Sequence, residues 1–292
     1  MAVNLLPVSG MGLFAQQLPD ISSTPADLHV PDMVNRAPAA GTRVRQVTPG
    51  WEKTEVYHAL YLPRNWKPDG KYPVIVEYAG NGVVRNKFGD VSEGTVEGSC
   101  LGYGLSGGVD FIWVCMPYVE IKNGDKGNAI KWWGDIEETK RYVISTLDFL
   151  HANYGADKDC VILAGFSRGS IGCNYIGLHD DEIAPLWKAF FCYSHYDGLY
   201  QNGNYADADR LSALQRLQRL KGRPQFISQE ASRSIDGIRD YLKETKVKGD
   251  FTFQQIPFRN HTDQWVLRDI PERQAARDWL QRVVKSQVTD HE

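Results

Sequence analysis

Apolar runs of strand length recur along most of this 292-residue chain, and amphipathic stretches separate them. Continuous runs of this kind are typical of strands buried on both faces of a sheet that helices cover. The first two predicted strands have no helix between them and are expected to pair antiparallel. We therefore predict an α/β fold with a mostly parallel central sheet. Its strands are expected at 43–47, 55–62, 72–78, 110–116, 160–164, 188–193, 224–228 and 251–256.

Two helices have clear boundaries in the sequence. Asp135 begins one, with Glu138 three residues later to complete a capping box, and Gly155 ends it. The last helix starts beside Pro271. It is expected to bury a stripe of apolar residues at helical spacing, namely Ala276, Trp279, Leu280 and Val283.

One turn between a predicted strand and a helix carries the pattern Gly165-x-Ser167-x-Gly169. In a nucleophile elbow the serine sits on a sharp, strained turn, and side chains at the glycine positions would collide with neighbouring backbone. The turn lifts the serine hydroxyl out of the sheet and places the N–H of Arg168 at a helix N-terminus, where it faces a developing oxyanion. The pattern predicts the α/β-hydrolase fold, with Ser167 as nucleophile.

A serine hydroxyl is a weak nucleophile until a base takes its proton. In α/β-hydrolases the three residues follow the chain order serine, acid, histidine. Of the seven histidines, His261 and His291 lie beyond the last predicted strand, and His291 belongs to the C-terminal tail. His261, in the loop before the final helix, is the predicted general base.

The acid that orients the histidine is harder to assign from the sequence. Its usual place is a few residues beyond the predicted strand 224–228, but Ser232 stands where an aspartate is expected. Asp197, just past the preceding strand, is the preferred candidate. Glu230, which comes early in its loop, and Asp236, which looks like a first-turn helix residue, remain alternatives.

A second oxyanion donor is expected in the loop after the third strand. That loop reads Ala79-Gly80-Asn81-Gly82, and the N–H of Asn81 is the candidate.

In the order and spacing of these segments, residues 57–284 resemble the secreted α/β-hydrolase esterases. Feruloyl and acetylxylan esterases and polyhydroxybutyrate depolymerases are the best-known members. The resemblance implies a serine esterase that works through an acyl-enzyme and needs no metal or organic cofactor. Two departures are that Ala79-Gly80 replaces the usual His-Gly and that the expected acid is missing. The segments that carry the resemblance are AGNG, MPY, NYGADKD, VILAGFSRGS and FRNH.

The arginine after the nucleophile also resembles the glucuronoyl esterases, whose equivalent arginine lies beside the oxyanion. The Gly-Lys that completes their motif is absent here. Two hypotheses follow for the Arg168 side chain. Either it assists the oxyanion or meets an anionic substrate, or it is a helix-start arginine in solvent.

The loop 117–134 is expected to line the cleft, because ligands of such sheets bind beyond the carboxyl ends of the strands. It holds Tyr118, Trp132 and Trp133, which either stack on a sugar or aromatic acyl group or wedge the loop onto the core. A short helix at 208–220 predicts a small cap, and the Gly/Asn-rich segment 198–204 is expected to be mobile.

An open cleft and these aromatic residues favour carbohydrate-linked feruloyl, acetyl or uronate esters as substrates, with a polysaccharide as the binding partner. The alternatives are a polyester depolymerase or peptidase of the same fold, and a catalytically silent α/β-hydrolase that binds carbohydrate or protein. The formal net charge of −3 predicts no nucleic-acid or anionic-membrane partner. The five cysteines have no zinc-site spacing and are expected to be buried thiols, with one disulfide left open.

The first 42 residues differ from the rest of the chain. Leu5 to Ala15 is mildly apolar and ends in a small residue, as a signal peptide does, but no basic residues precede it. Scattered prolines follow. We interpret residues 1–42 as an export-like or linker arm, loosely attached, and residues 43–288 as the hydrolase domain. A secreted or periplasmic location is expected, with the cytoplasm as the alternative.

Overall fold

The computed structural model describes residues 18–199 and 205–286. Within them a nine-stranded sheet forms the centre, and two further pairs of strands, β5–β6 and β8–β9, form separate ribbons. The strands are β1 (Met33–Val34), β2 (Arg43–Gln46), β3 (His58–Tyr61), β4 (Tyr72–Tyr78), β5 (Val84–Arg85), β6 (Val91–Ser92), β7 (Ile112–Met116), β8 (Tyr118–Lys122), β9 (Asp125–Ala129), β10 (Ala156–Phe166), β11 (Ala189–Tyr193), β12 (Pro224–Glu230) and β13 (Asp250–Ile256).

Helices cover both faces of this sheet. They are α1 (Leu101–Ser106), α2 (Ile136–Tyr154), α3 (Arg168–Tyr175), α4 (Arg210–Leu217), α5 (Asp236–Thr245) and α6 (Pro271–Lys285). Single 3₁₀ turns lie at Ile21–Ser23, Ala184–Leu186, Gln218–Leu220 and Asp263–Leu267.

The strand order is β1-β2-β3-β7-β4-β10-β11-β12-β13. Strand β3 pairs antiparallel with β2 and with β7, and the remaining neighbours are parallel. This confirms the predicted mostly parallel sheet with an antiparallel pair at its start. The carboxyl ends of β4, β10, β11 and β12 therefore meet at one edge of the sheet, where the candidate site residues lie.

Two strands run past their predicted ends. Strand β10 runs on to Phe166, and β12 runs on to Glu230, two residues past the predicted end at Ser228. The sequence gives no apolar signal there, because Gln229 and Glu230 are polar. The ladder continues because β13 supplies a partner for each residue, with Glu230 opposite Ile256. This extension decides where the Glu230 side chain lies.

Helix α2 has the predicted start and end. The Asp135 side chain accepts from the N–H of Glu138 at 2.9 Å, and Gly155 ends the helix with a φ of 72°. The second half of the predicted capping box does not form. The Asp135 N–H already donates to the Val119 carbonyl at 2.7 Å, so the Glu138 carboxylate pairs with Lys126 at 2.8 Å instead.

The core lies on both faces of the sheet because successive strand residues point to opposite sides. In β4, Val74, Val76 and Tyr78 join one apolar cluster, and Ile75 joins the other. All five cysteines are buried free thiols.

Residues 18–42 lie on the domain, in contrast to the loose attachment expected for the arm. Asp20 pairs with Arg259 at 2.6 Å, and the N–H of Ile21 donates to Asn260 at 2.7 Å. Because Arg259 and Asn260 immediately precede His261, this part of the arm braces the loop that carries the predicted base. The export-like stretch 5–15 lies outside the described residues, as does most of the segment expected to be mobile.

Candidate active site

Ser167 occupies the sharp turn between β10 and α3. Its φ of 54° and ψ of −111° lie outside the backbone regions that residues other than glycine prefer. Two glycines make this turn possible. A Cβ on Gly165 would lie 2.1 Å from the Gly169 backbone, and a Cβ on Gly169 would lie 2.0 Å from the carbonyl oxygen of Tyr78. The strained elbow that the sequence pattern predicts is therefore present.

The Ser167 hydroxyl lies at hydrogen-bond distance from the predicted base. The distance from Ser167 Oγ to His261 Nε2 is 3.0 Å. The histidine loop is fixed by the ribbon β5–β6 as well as by the arm, since the N–H of His261 donates to Asp90 at 2.8 Å and the N–H of Val91 donates to the His261 carbonyl at 3.2 Å. The ring also packs on Phe166, with the ring centroids 4.8 Å apart.

Glu230 is the carboxylate that contacts the histidine. Its Oε1 lies 3.0 Å from His261 Nδ1, and its side chain is fully buried at the end of β12. Burial alone would raise the pKa of Glu230, but the hydrogen bond and charge of His261 lower it to about 2. The carboxylate is therefore ionised at neutral pH and accepts the Nδ1 proton, which leaves Nε2 as the acceptor for Ser167.

Asp197, the preferred acid in the sequence analysis, does not contact His261. Its carboxylate is buried in the turn after β11, where Arg216 donates to it at 2.8 and 3.1 Å and the Tyr205 hydroxyl donates at 2.8 Å. Asp236 begins α5 and pairs with Arg239 at 2.6 Å. The structure therefore corrects the assignment to Glu230, which the sequence left as an alternative because the predicted strand ended too early.

Ser194, at the end of β11, was not identified from the sequence. Its buried hydroxyl lies 2.9 Å from His261 Nδ1, so it shares that nitrogen with Glu230. The residue has a positive φ of 62°, and the next residue, His195, has a φ of 125°. This sharp turn brings Ser194 towards the histidine, and the stretch Ser194 to Asp197 carried no pattern that would have distinguished it.

His195 packs against the base, with its ring centroid 5.1 Å from that of His261. Burial and the nearby charge of His261 lower the pKa of His195 to about 4. It is therefore uncharged at neutral pH and adds no repulsion when His261 takes up a proton.

The two predicted oxyanion donors are the backbone N–H groups of Asn81 and Arg168. Within the described residues, neither the N–H of Arg168, at the start of α3, nor that of Asn81 donates a hydrogen bond. The Asn81 side chain is engaged, because its Oδ1 accepts from the N–H of Trp132 at 2.7 Å. Both predicted donors thus lie in anchored segments.

The Arg168 side chain is buried, which contradicts the hypothesis of a helix-start arginine in solvent. It is 2% exposed and runs beneath the loop that contains Asn81. Its guanidinium donates to the carbonyl of Gly80 at 2.9 Å and to that of Trp132. These contacts are to backbone carbonyls rather than to an open substrate cleft.

The three predicted substrate-binding aromatic residues differ in exposure. Trp133 is buried against Tyr118 and two other tyrosines, which corresponds to the interpretation that this loop wedges onto the core. Tyr118 is also buried, but it lines a cavity of about 240 Å³ beside Ala79 of the oxyanion loop. Trp132 is 39% exposed, so part of this residue is accessible to a ligand.

A second cavity of about 190 Å³ is also lined by Ala79 of the oxyanion loop. Its lining includes Gly80 and Phe166, and its remaining side chains are mostly polar. Ala79, Gly94 and Thr95 line both cavities, so the two cavities are neighbours beside the oxyanion loop.

One cluster away from this site has the residue types of a cation site. Glu137, His179 and Asp180 each offer a ligand atom within 4.8 Å of the others. The ammonium of Lys140 already lies among them and pairs with Glu137 at 2.9 Å and with Asp180. The cluster is thus neutralised by a lysine.

Comparison with solved structures gives matches over most of the chain. An S-formylglutathione hydrolase from Agrobacterium tumefaciens has a TM-score of 0.54 at 13% identity, with 86% of this chain and 98% of that chain covered. A ferulic acid esterase has a TM-score of 0.51 at 15% identity, with 84% and 100% covered. The chain has the α/β-hydrolase fold.

An esterase from Rhizomucor miehei matches this chain in the same way, with a TM-score of 0.52 at 15% identity over 83% of this chain and 82% of that one. At such identities the likeness concerns the fold, and function has to be argued from the site. No family profile and no curated protein sequence matches the chain. Among the described residues, no helix has the length and apolar character that a membrane span requires.

Proposed function

We propose that this α/β-hydrolase is a serine esterase that cleaves carboxylic esters through an acyl-enzyme. One observation carries the proposal. Ser167 Oγ lies 3.0 Å from His261 Nε2, and His261 Nδ1 lies 3.0 Å from the buried carboxylate of Glu230. These are the contacts that activate a serine hydroxyl and fix the tautomer of its base.

In the first half of the reaction, Ser167 Oγ attacks the ester carbonyl carbon while His261 Nε2 takes the hydroxyl proton. Glu230 stabilises the imidazolium that forms. The negative charge on the carbonyl oxygen is held by the N–H groups of Asn81 and Arg168. The tetrahedral intermediate then collapses, the bond to the alcohol oxygen breaks, and His261 returns the proton to that oxygen.

In the second half, water attacks the acyl-enzyme carbonyl and gives a proton to His261. The bond to Ser167 Oγ breaks, the serine recovers its proton, and the free acid leaves. The water molecule supplies the hydroxyl of the acid, and the proton count at Ser167 and His261 is restored.

For the substrate we propose carbohydrate-linked feruloyl, acetyl or uronate esters. The partial exposure of Trp132 supports this, because an indole face stacks on a sugar or an aromatic acyl group. The mostly polar cavity beside Gly80 and Phe166 supports it as well, since hydroxyl-rich groups need hydrogen-bond partners. A polysaccharide ester of this kind agrees with a secreted or periplasmic location, which we propose with it.

A substrate panel tests the proposal. It contains p-nitrophenyl acyl esters, feruloylated and acetylated oligosaccharides, a glucuronate ester, a polyester film and aminoacyl anilides. We expect ester hydrolysis by the wild type and a loss of about 10³-fold or more in kcat for Ser167→Ala. Ser106→Ala removes a buried hydroxyl at the end of α1, a helix that contributes no residue to this site, and serves as the matched control, with unchanged kcat.

The other outcomes of the panel are informative. Preferential cleavage of anilides would indicate a peptidase, and preferential release of acids from the film would indicate a polyester depolymerase. Ester hydrolysis that persists in Ser167→Ala would contradict the proposed nucleophile. A wild type that cleaves none of the substrates but binds the oligosaccharides would indicate a silent carbohydrate-binding protein.

A further inference from the structure

The Arg168 side chain has an unusual position for a residue that follows a nucleophile. Although its backbone begins α3 beside Ser167, its guanidinium turns back beneath the oxyanion loop and is almost fully buried. It donates to the carbonyls of Gly80 at 2.9 Å, Gly94 at 3.5 Å and Trp132. It also lies 3.8 Å from the ring centroid of Tyr118.

The contact with Gly80 fixes a specific donor. The Gly80 carbonyl and the Asn81 N–H belong to the same peptide group, and that group is planar. In a trans peptide the carbonyl and the N–H point in opposite directions. A guanidinium that holds the Gly80 oxygen from below therefore determines where the Asn81 N–H points.

The other contacts close a ring around this peptide. The Asn81 side chain accepts from the N–H of Trp132, and the Trp132 carbonyl accepts from Arg168. The preceding peptide is held in the same way, since the Tyr118 hydroxyl donates to the Ala79 carbonyl at 3.0 Å. The Ala79 and Gly80 carbonyls are thus anchored, and the Gly82 N–H donates to the Ile130 carbonyl at 3.0 Å, whereas the Asn81 N–H is left for a ligand.

The charge of Arg168 reinforces this geometry. Among the described residues, the titratable side chain that acts on the pKa of Arg168 is Tyr118 and not a carboxylate, and the Arg168 Nε has no hydrogen-bond partner. A buried positive charge without a paired anion raises the potential around the loop. A guanidinium that pulls on the Gly80 carbonyl also polarises the shared peptide, which makes the Asn81 N–H a stronger donor.

We propose that the Arg168 side chain is a positioning residue of the oxyanion hole, which acts through the Gly80–Asn81 peptide. It orients and polarises the Asn81 N–H and does not itself touch the substrate. The inference rests on the proposed function, since it concerns the same ester carbonyl. It refines the hypothesis that this side chain assists the oxyanion, because the assistance is indirect, and it excludes the alternative of an arginine in solvent.

The kinetic consequence is specific. The oxyanion carries its charge in the transition state and not in the bound ester, so loss of the support lowers kcat and leaves KM nearly unchanged. Direct removal of an oxyanion donor costs about 10²–10³-fold in kcat. A displaced donor is expected to cost less, about 10–100-fold, in Arg168→Met.

Arg223 provides a matched control for this test. It too donates to backbone carbonyls, at 2.8 Å to Leu220 and 2.9 Å to Trp187, and it lies over the Phe190 ring. These contacts are at the opposite end of the sheet from Ser167, near the start of β11. Arg223→Met therefore removes the same kind of interaction without touching the oxyanion loop.

The experiment compares the wild type, Arg168→Met, Arg168→Lys and Arg223→Met for thermal stability, for kcat and KM on one ester, and for affinity to an alkyl boronic acid. We expect Arg168→Met to lose about 10–100-fold in kcat and in boronic-acid affinity, with KM nearly unchanged. Arg168→Lys, which keeps the charge, should recover part of both, and Arg223→Met should match the wild type in both.

Equal kcat and boronic-acid affinity in Arg168→Met and the wild type would overturn the inference and leave the esterase proposal intact. If Arg168→Met does not fold, a kcat of Arg168→Lys within twofold of the wild type, at full boronic-acid affinity, would overturn it in the same way. A wild type that hydrolyses no ester and binds no boronic acid would overturn both proposals.

Discussion

Two adjacent strands of the sheet, β11 and β12, are each followed or ended by a buried carboxylate, and the two carboxylates have different roles. Asp197 lies in the turn after β11 and is held by Arg216 and Tyr205. Glu230 ends β12 and is held by His261, with Arg233 at the rim 3.0 Å away. Both carboxylates are buried, but their hydrogen-bond partners differ.

On the proposed mechanism, this difference explains why one buried carboxylate acts in catalysis and the other does not. Arg216 is permanently charged and forks across both oxygens of Asp197, so this pair is satisfied and fixes the segment that leads into α4. A histidine gains and loses its proton during a reaction, so Glu230 has a partner whose charge changes. Asp197 lies just beyond a strand end and Glu230 lies at one, but only His261, the partner of Glu230, can take part in proton transfer.

Among the substitutions that test this comparison, replacement of Glu230 should have the largest effect on kcat. Glu230→Gln keeps the size of the side chain but can no longer stabilise the imidazolium, so we expect kcat to fall about 10³–10⁴-fold. Steady-state ester hydrolysis measures the effect. Asp197→Asn is the matched control and should retain kcat within about threefold, since mutations outside the machinery act on stability. Equal losses in the two variants would remove the distinction.

Asp197→Asn should instead lower the free energy of unfolding. It leaves the buried Arg216 guanidinium without its anion, which costs about 3–5 kcal/mol. Urea unfolding followed by tryptophan fluorescence measures this. The double variant Asp197→Leu/Arg216→Met, which removes both charges, should recover most of the loss. If Asp197→Asn were as stable as the wild type, the Asp197–Arg216 ion pair would make no net contribution to the free energy of unfolding.

The pH dependence of unfolding separates the two carboxylates further. The folded-state pKa of Glu230, about 2, lies below its ordinary value of 4.5. Its contribution to stability is therefore complete above pH 4.5 and is lost as the pH falls towards 2, with an upper limit on the order of 3 kcal/mol. Unfolding of the wild type and Glu230→Gln at pH 6 and pH 3 should show a smaller acid-induced loss in the variant. Parallel losses would contradict the role of the His261 contact.

Ser194→Ala should give the smallest effect. The Ser194 hydroxyl is a secondary partner of His261 Nδ1, so its removal should lower kcat about fivefold, the value of one hydrogen bond of about 1 kcal/mol. Ser194→Cys and Ser194→Ala, measured on the same ester, test this. If Ser194→Ala matches the loss in Glu230→Gln, the orienting group has been assigned to the wrong residue.

Much of this fold was predictable because its strands are buried on both faces and therefore apolar throughout. Strand β4 has the predicted bounds, and the elbow at Ser167 follows from two glycines whose Cβ atoms would have no room. The base followed from chain order, since His261 lies between β13 and α6. These features depend on local sequence and topology.

The features that the sequence analysis missed depend on contacts between distant segments. Glu230 is only an alternative in the sequence analysis because its strand is extended by pairing with β13 and not by its own apolar character. The burial of Arg168 depends on carbonyls more than 30 residues away along the chain. The ribbons β5–β6 and β8–β9 are short and largely polar, so no periodicity marked them.

The central claim is that His261, oriented by Glu230, makes the Ser167 hydroxyl nucleophilic. Intact-protein mass spectrometry after reaction with a fluorophosphonate, followed by peptide mapping, tests it most directly. The account predicts one adduct per chain, located on Ser167, absent in Ser167→Ala and formed far more slowly in His261→Ala. An unmodified wild type, or an adduct on another residue, would contradict it.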